Sequence, residues 1–203
     1  MKRAGVGPFL RGMLVVTAGL TVSACGGGLF SSPPTAFDLT APRDFPSSGR
    51  APRGQLIVVE PTAVSILDSE KVMVRSASGE VTQLPDVQWS DRLPRLLQAR
   101  MVQAFENANR LRSVGRPGER LAADYQLLTD VRAFQMSVSG ENVAEVEIAA
   151  KIVSERSGRI VAARVFRVRV PVGAGGAGPA VAAIDQAFGR MVTEMVLWAT
   201  ALV

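Results

Sequence analysis

Apolar residues recur at different spacings along this chain, and each spacing marks a different kind of segment. Near the start they form a short run from Met13 to Val22, interrupted by Thr17 and Gly19. Farther on they alternate with polar residues, the period of a half-buried strand. Gln55–Glu60 is such a β-rich run, stopped by Pro61. Lys71–Arg75 and Glu80–Leu84 flank Ser76-Ala77-Ser78-Gly79, which predicts a hairpin with glycine at its turn. Tyr125–Val138, Val143–Glu155 and Arg159–Val172 predict three longer strands.

Two stretches show the three- and four-residue spacing of helices. Leu93, Leu96, Leu97, Met101, Ala104, Phe105 and Ala108 form one apolar stripe. Ser90-Asp91 predicts its cap, and Pro94 falls in the first turn, where a missing N–H is tolerated. Ile184, Phe188, Met191, Met195, Trp198 and Leu202 form the stripe of a final helix from about Pro179 to Leu202. Together these predict an α+β fold: an antiparallel sheet with two main helices packed on one face.

The last two long strands allow a register to be predicted. If Arg156-Ser157-Gly158 is a three-residue loop with a left-handed glycine, Glu155 faces Arg159 and Val153 faces Val161. The same register sets Glu147 opposite Arg167 and Glu145 opposite Arg169. Opposite charges across a strand pair stabilise by a few tenths to about 1 kcal/mol, and like charges would destabilise. Val146, Ile148, Ile152, Phe166 and Val168 then share the inner face.

The amino-terminal run is a secretion signal. Lys2, Arg3 and Arg11 precede it, and Ser23-Ala24-Cys25 supply small residues at a cut. The run is too short and too interrupted to make a comfortable membrane-spanning helix. Val22-Ser23-Ala24-Cys25 resembles the lipobox of bacterial lipoproteins. That resemblance implies cleavage before Cys25 and acylation there, palmitate included. More than one acyl chain gives stable anchoring, since each buried CH₂ adds about 0.8 kcal/mol. Gly26 stands where inner-membrane lipoproteins of enterobacteria have Asp, which points to the periplasmic face of the outer membrane. Residues 25–54 are rich in Gly, Ser, Pro and Arg and read as a flexible, lipidated tether. Phe37-Asp38-Leu39 is an exception, alternating like a short strand that adds to the domain's edge. The expected organisation is a signal peptide over 1–24, a tether over 25–54 and one domain over 55–203.

Composition narrows the chemistry. The chain has no histidine and one cysteine, Cys25. The commonest general base and metal ligand are therefore missing, and an intrachain disulfide cannot form. The net charge of +5 falls to +2 when the three cations of the leader are removed, so the mature chain is not polycationic. Gly173-Ala-Gly175-Gly-Ala-Gly178 matches G-x-G-x-x-G between a strand and a helix. Yet no further strand follows, and no acidic residue stands to hold a ribose, so it reads as a strand–helix connection. Asp86, Asp91, Asp124 and Asp130 show no spacing that fixes an acid–base pair. Ser137 and Ser139 would need Lys71 or Lys151 as activator, and no motif supports that. These readings favour a protein that is not an enzyme and needs no metal or cofactor. Arg92, Arg95, Arg100, Arg110, Arg112, Arg116 and Arg120 make one helix and its exit basic. They read as a solvated face, or as a meeting place for acidic lipid head groups or an acidic partner. Almost no aromatic residues are interleaved with them, which argues against nucleic acid.

Pro85-Asp-Val-Gln-Trp89-Ser-Asp91-Arg-Leu93-Pro-Arg-Leu96-Leu97, continuing to Asn107, resembles the helix entry of the ABC-type transport auxiliary lipoproteins, the PqiC-like family. Tyr125-Gln-Leu-Leu-Thr-Asp130-Val-Arg-Ala-Phe134 resembles that family's next strand. Phe37-Asp-Leu-Thr-Ala-Pro42 resembles its segment after the lipobox, with Phe37 where tyrosine is usual. The resemblance implies an accessory of an MCE-type system that moves phospholipid between membranes, docking the periplasmic MCE protein. It also admits a ring-like homo-oligomer and implies no catalytic residues. An outer-membrane assembly or structural lipoprotein unrelated to lipid flow is the alternative. Cys25 is the expected lipidation site, and Trp89 and Trp198 are the candidates for partner contact or packing, with packing favoured at Trp89.

Overall fold

Strand β7 (Tyr125–Ser139) is the axis on which the sheet is organised. The structure, a computed structural model, describes residues 33–47 and 51–203. Along one side of β7 lies the equally long β8 (Glu141–Ser154), antiparallel, and beyond it β9 (Ile160–Pro171). Along the other side three strands follow in turn, all parallel to β7: β2 (Gln55–Val58), β3 (Thr62–Ala63) and β4 (Lys71–Ser76). The hairpin partner of β4 is β5 (Val81–Trp89), and β1 (Thr35–Phe37) adds to β5 in parallel. A short β6 (Ser113–Gly115) closes the β2 side.

The α+β class with two helices is what the chain adopts, but the sheet is mixed where the alternation predicts an antiparallel one. The reason is the crossover. Helix α1 (Leu93–Ala108) follows β5 and carries the chain back, so β7 starts in the same direction as β2 and β4. Parallel neighbours need such a connection, whereas the hairpins do not. Alternation within a strand carries no information about its neighbour's direction.

Helix α2 (Ala177–Thr200) ends two residues short of the predicted Leu202, which is 37% exposed. It buries Ile184, Phe188, Met191 and Met195 against the sheet, and α1 buries Leu93, Leu96, Leu97, Met101, Ala104 and Phe105 in the same core. Leu127, Val131 and Phe134 of β7 and Val146, Ile148 and Ile152 of β8 supply the sheet side. Trp89 lies at the centre, fully buried. Its ring stands edge-on to Phe134 at 5.6 Å, and Phe134 stands edge-on to Phe188 at 6.1 Å. This chain of rings joins β5, β7 and α2, an arrangement aromatic quadrupoles favour.

The register of β8 and β9 matches the charge argument over most of its length. Glu147 pairs with Arg167 and Glu145 with Arg169. Near the turn it departs. Val153 pairs with Ile160 rather than Val161, because Val161 is an extra residue in a bulge. The turn is one residue longer than predicted: Ser154 N–H donates to Arg159 O, and Glu155 hydrogen-bonds Gln126 instead of facing Arg159. Gly158 does take the left-handed conformation, at φ 65°. The α1 cap also differs. Arg92 is the N-cap residue and makes no side-chain cap bond, while Asp91 accepts from Arg92 N–H at 2.8 Å. Pro94 sits in the first turn as predicted. A second bulge inserts Arg132 into β7, which brings its guanidinium 3.8 Å from Glu147. Glu147 is thus flanked by two arginines and only 12% exposed.

The Trp89 indole N–H has no hydrogen-bond partner, so the residue contributes through volume and ring contacts. Trp89→Ala should destabilise the domain by about 3–5 kcal/mol, as for other large-to-small core changes. Trp89→Phe should cost clearly less. Denaturant unfolding monitored by circular dichroism checks this, and an alanine effect under about 1 kcal/mol would contradict the packing role.

Candidate functional site

The segment read as a tether is split by the structure. From Thr35 onward it is docked on the domain, so the folded part begins well before the predicted boundary at residue 55. Phe37 pairs with Trp89, and its carbonyl accepts from Ser90 N–H at 2.7 Å. The chain then crosses both helices. Asp38 pairs with Arg100 of α1. Thr40 N–H donates to the Asp185 carboxylate of α2 at 2.7 Å. Asn107 Nδ2 donates to Pro42 O at 2.8 Å, and Arg110 donates to Pro46 O. Leu39 and Ala41 are buried at 3% and 6% exposure.

Magnitudes decide what holds this strap. Burying a leucine stabilises by roughly 1.5–3 kcal/mol, whereas a half-exposed ion pair such as Asp38–Arg100 contributes about 0–1 kcal/mol. The apolar residues therefore hold the strap, and the polar contacts fix its path. Alternation of Phe37 and Leu39 was the visible signal. Asp185 and Asn107 gave none, because their partners are backbone groups remote in sequence.

The basic stretch around α1 is not one face. Arg92 pairs with Glu60 and Asp68, Arg95 with Asp91, and Arg100 with Asp38. The hydrogen bond that Arg92 donates to the Asp68 carboxylate holds its guanidinium above its ordinary value, with Glu60 adding to it, so this group is a fixed cation. Arg112 pairs with Asp124 at 3.4 Å and Arg116 with Glu119 at 3.5 Å. Arg120 is exposed, with φ 55°.

The remaining candidates are held apart. Ser137 is buried and bonded to Ser139 at 3.3 Å. It pairs with Arg75 and Val143, whereas Lys151 pairs with Leu128 near the far end of β7. Asp124 accepts from Gln55 N–H at 3.0 Å, and Asp130 engages Thr62 Oγ1 at 3.0 Å and Arg132. Asp86 takes a positive φ of 60° within β5, a turn role. No two of these aspartates form a pair. A cleft of about 360 Å³ beside β3 is lined by Glu60, Thr62, Asp130, Arg132 and Lys151, but its carboxylates are engaged by arginines. Among the described residues no group of three or more His, Cys, Asp or Glu is placed to hold a metal. The G-x-G-x-x-G segment links β9 to α2, and β9 is paired only to the antiparallel β8. Trp89 is wholly inside the core, and half-buried Trp198 packs edge-on to Phe166 at 5.5 Å. Cys25 lies outside the described residues.

Residues 37–196 match the family described as the ABC-type transport auxiliary lipoprotein component. The chain belongs to this family. The match begins at Phe37, so it includes the strap as well as the sheet and α1. Protein XCC0632 of Xanthomonas campestris (DUF330) has a similar structure, at TM-score 0.75 and 28% identity, covering 83% of this chain and 96% of that one. The hypothetical protein CT253 of Chlamydia trachomatis shares the fold at TM-score 0.55 and 7% identity, over 74% of this chain and 97% of that one. An uncharacterized protein of Bradyrhizobium diazoefficiens is 32% identical over 183 residues, covering 90% of this chain. The chain spans about half the length of that relative, 49%.

Leu39→Asp should free the strap while leaving the sheet folded, because a carboxylate cannot stay in that apolar site unpaired. Limited proteolysis should then cut within residues 38–47 at least about tenfold faster, as expected for a loss of roughly 1.4 kcal/mol or more. An unchanged cutting rate would show that Leu39 does not hold the strap.

Proposed function

We propose that this auxiliary lipoprotein is a non-catalytic adaptor, anchored by lipid on Cys25 to the periplasmic face of the outer membrane, that docks the periplasmic MCE-type protein of a phospholipid transport system. The observation that carries this reading is the strap. The segment from Thr35, ten residues after Cys25, is built into the fold and bonded to both helices. A force or position set at the anchor thus reaches the body of the domain, which suits a docking part. Ten residue steps separate Cys25 from Thr35, at most about 36 Å of extended chain. That is shorter than a free tether of residues 25–54 would allow, and it keeps the domain near the membrane surface. Gly26 after Cys25 supports the outer membrane. The ion-paired state of the acids and the separation of the serines from the lysines support the non-catalytic reading.

The test has two readouts in one strain. Cys25→Ala should abolish labelling by radioactive palmitate and release the protein from the membrane fraction. The wild-type lipoprotein, isolated after cross-linking in intact cells, should bring down the MCE protein and sediment with the outer membrane. Recovery of a β-barrel assembly protein or peptidoglycan without any MCE protein would contradict the transport role.

A further inference from the structure

We infer that the arginine-rich pole of the domain, at the start of β7, is a docking groove for an acidic segment of a partner protein. Six arginines from three stretches of chain meet there: Arg53 before β2, Arg112, Arg116 and Arg120 around β6, and Arg156 and Arg159 in the β8–β9 turn. Three side-chain carboxylates accompany them, and each is already engaged. Asp124 takes Gln55 N–H and Arg112, Glu119 takes Arg116 and its N–H, and Glu155 takes Gln126. Among the described residues no carboxylate lies within ion-pair distance of Arg53, Arg120, Arg156 or Arg159, and all four are exposed. The other pole carries Arg75, Glu80 and Glu141 at its hairpin ends and has no comparable excess.

The shape selects the kind of partner. Two adjoining clefts, of about 870 and 510 Å³, share Ala123 and Glu155. Arg156, Tyr125 and Val203 line the larger, and Arg116, Arg120, Ile57 and Leu121 line the other. Adjoining clefts whose lining mixes arginines with apolar side chains fit an extended chain bearing carboxylates. Arginine forks match carboxylates two bonds at a time. A flat anionic membrane would meet the exposed arginines without entering the clefts. The strap's direction agrees. Thr35 pairs with Val87, on the neighbour of β4, level with about Phe134, and the chain arrives from the Ser139 side. Tyr125 is nine residues farther along β7, about 30 Å away. The strap therefore begins on the side away from the groove.

This inference rests on the adaptor reading only for the partner's identity, and its test does not use that partner. Full-length lipoprotein in zwitterionic nanodiscs is titrated with a short fluorescent peptide alternating Glu and Val, and with the same peptide carrying Gln for Glu. The Glu peptide should bind at least about tenfold more tightly, and the preference should fade as salt rises toward 1 M, where the Debye length is about 3 Å. The variant R120E/R156E/R159E should lose about tenfold or more of the Glu-peptide affinity, and R120Q/R156Q/R159Q a smaller share. R75E, at the other pole, should leave it unchanged. Thermal unfolding confirms that each variant is folded. Equal binding of the two peptides, or wild-type affinity in both triple variants, would overturn the proposal. So would arginine-dependent co-sedimentation with phosphatidylglycerol vesicles in place of peptide binding, which would assign the pole to lipid head groups. Failure to recover an MCE protein from cells would leave these peptide results standing and would count against the adaptor reading alone.

Discussion

The burial of Trp89 is the constraint on which this structure depends. Its backbone pairs with Phe37 of the strap and donates to Glu70 O. Its ring packs on Phe134 at the centre of β7, which packs on Phe188 of α2. Strap, hairpin, central strand and final helix are therefore linked through Trp89 and the ring beside it. Loss of that volume would loosen four elements together, since a packed interior cannot relax around a hole the size of an indole.

Placing an anchor segment in such a core changes what the anchor does. A free tether would let the domain wander, and its length alone would set the reach. Here the chain after Thr35 is fixed by Leu39 and Ala41 against the helices. The polar contacts then give it a direction, along α1 from Arg100 toward Arg110. The domain is asymmetric along that path, with the uncompensated arginines gathered at the end where the strap finishes. Charge balance elsewhere is close: Glu147 and Glu145 are each matched by cross-strand arginines, and Arg92 by two acids. The pole stands out because four exposed arginines gather there with no carboxylate, among the described residues, within ion-pair distance.

Much of this was legible in the sequence, and the failures have physical causes. Periodicity marked both helices and the long strands, and opposite charges gave the β8–β9 register at Glu147 and Glu145. It could not show that β4 and β7 run parallel, because direction is set by the α1 crossover. The bulges at Arg132 and Val161 were also hidden, since one extra residue leaves the local pattern almost unchanged. The strap was half visible. Phe37 and Leu39 alternated, but the surrounding Gly, Ser and Pro suggested a chain with too little apolar surface to order itself. Two small buried residues and a set of backbone acceptors were enough. The arginines misled in the opposite way. They looked like one basic helix, yet most are paired, and the unpaired ones join others from remote segments.

The strap is an integral part of the fold. Hydrogen exchange at the Thr40 amide of the full-length lipoprotein tests this most directly, because that N–H donates to Asp185 of α2, 145 residues along the chain. Protection should be close to that of the β7 core amides. Exchange at the rate of an unstructured peptide, with β7 still protected, would contradict it.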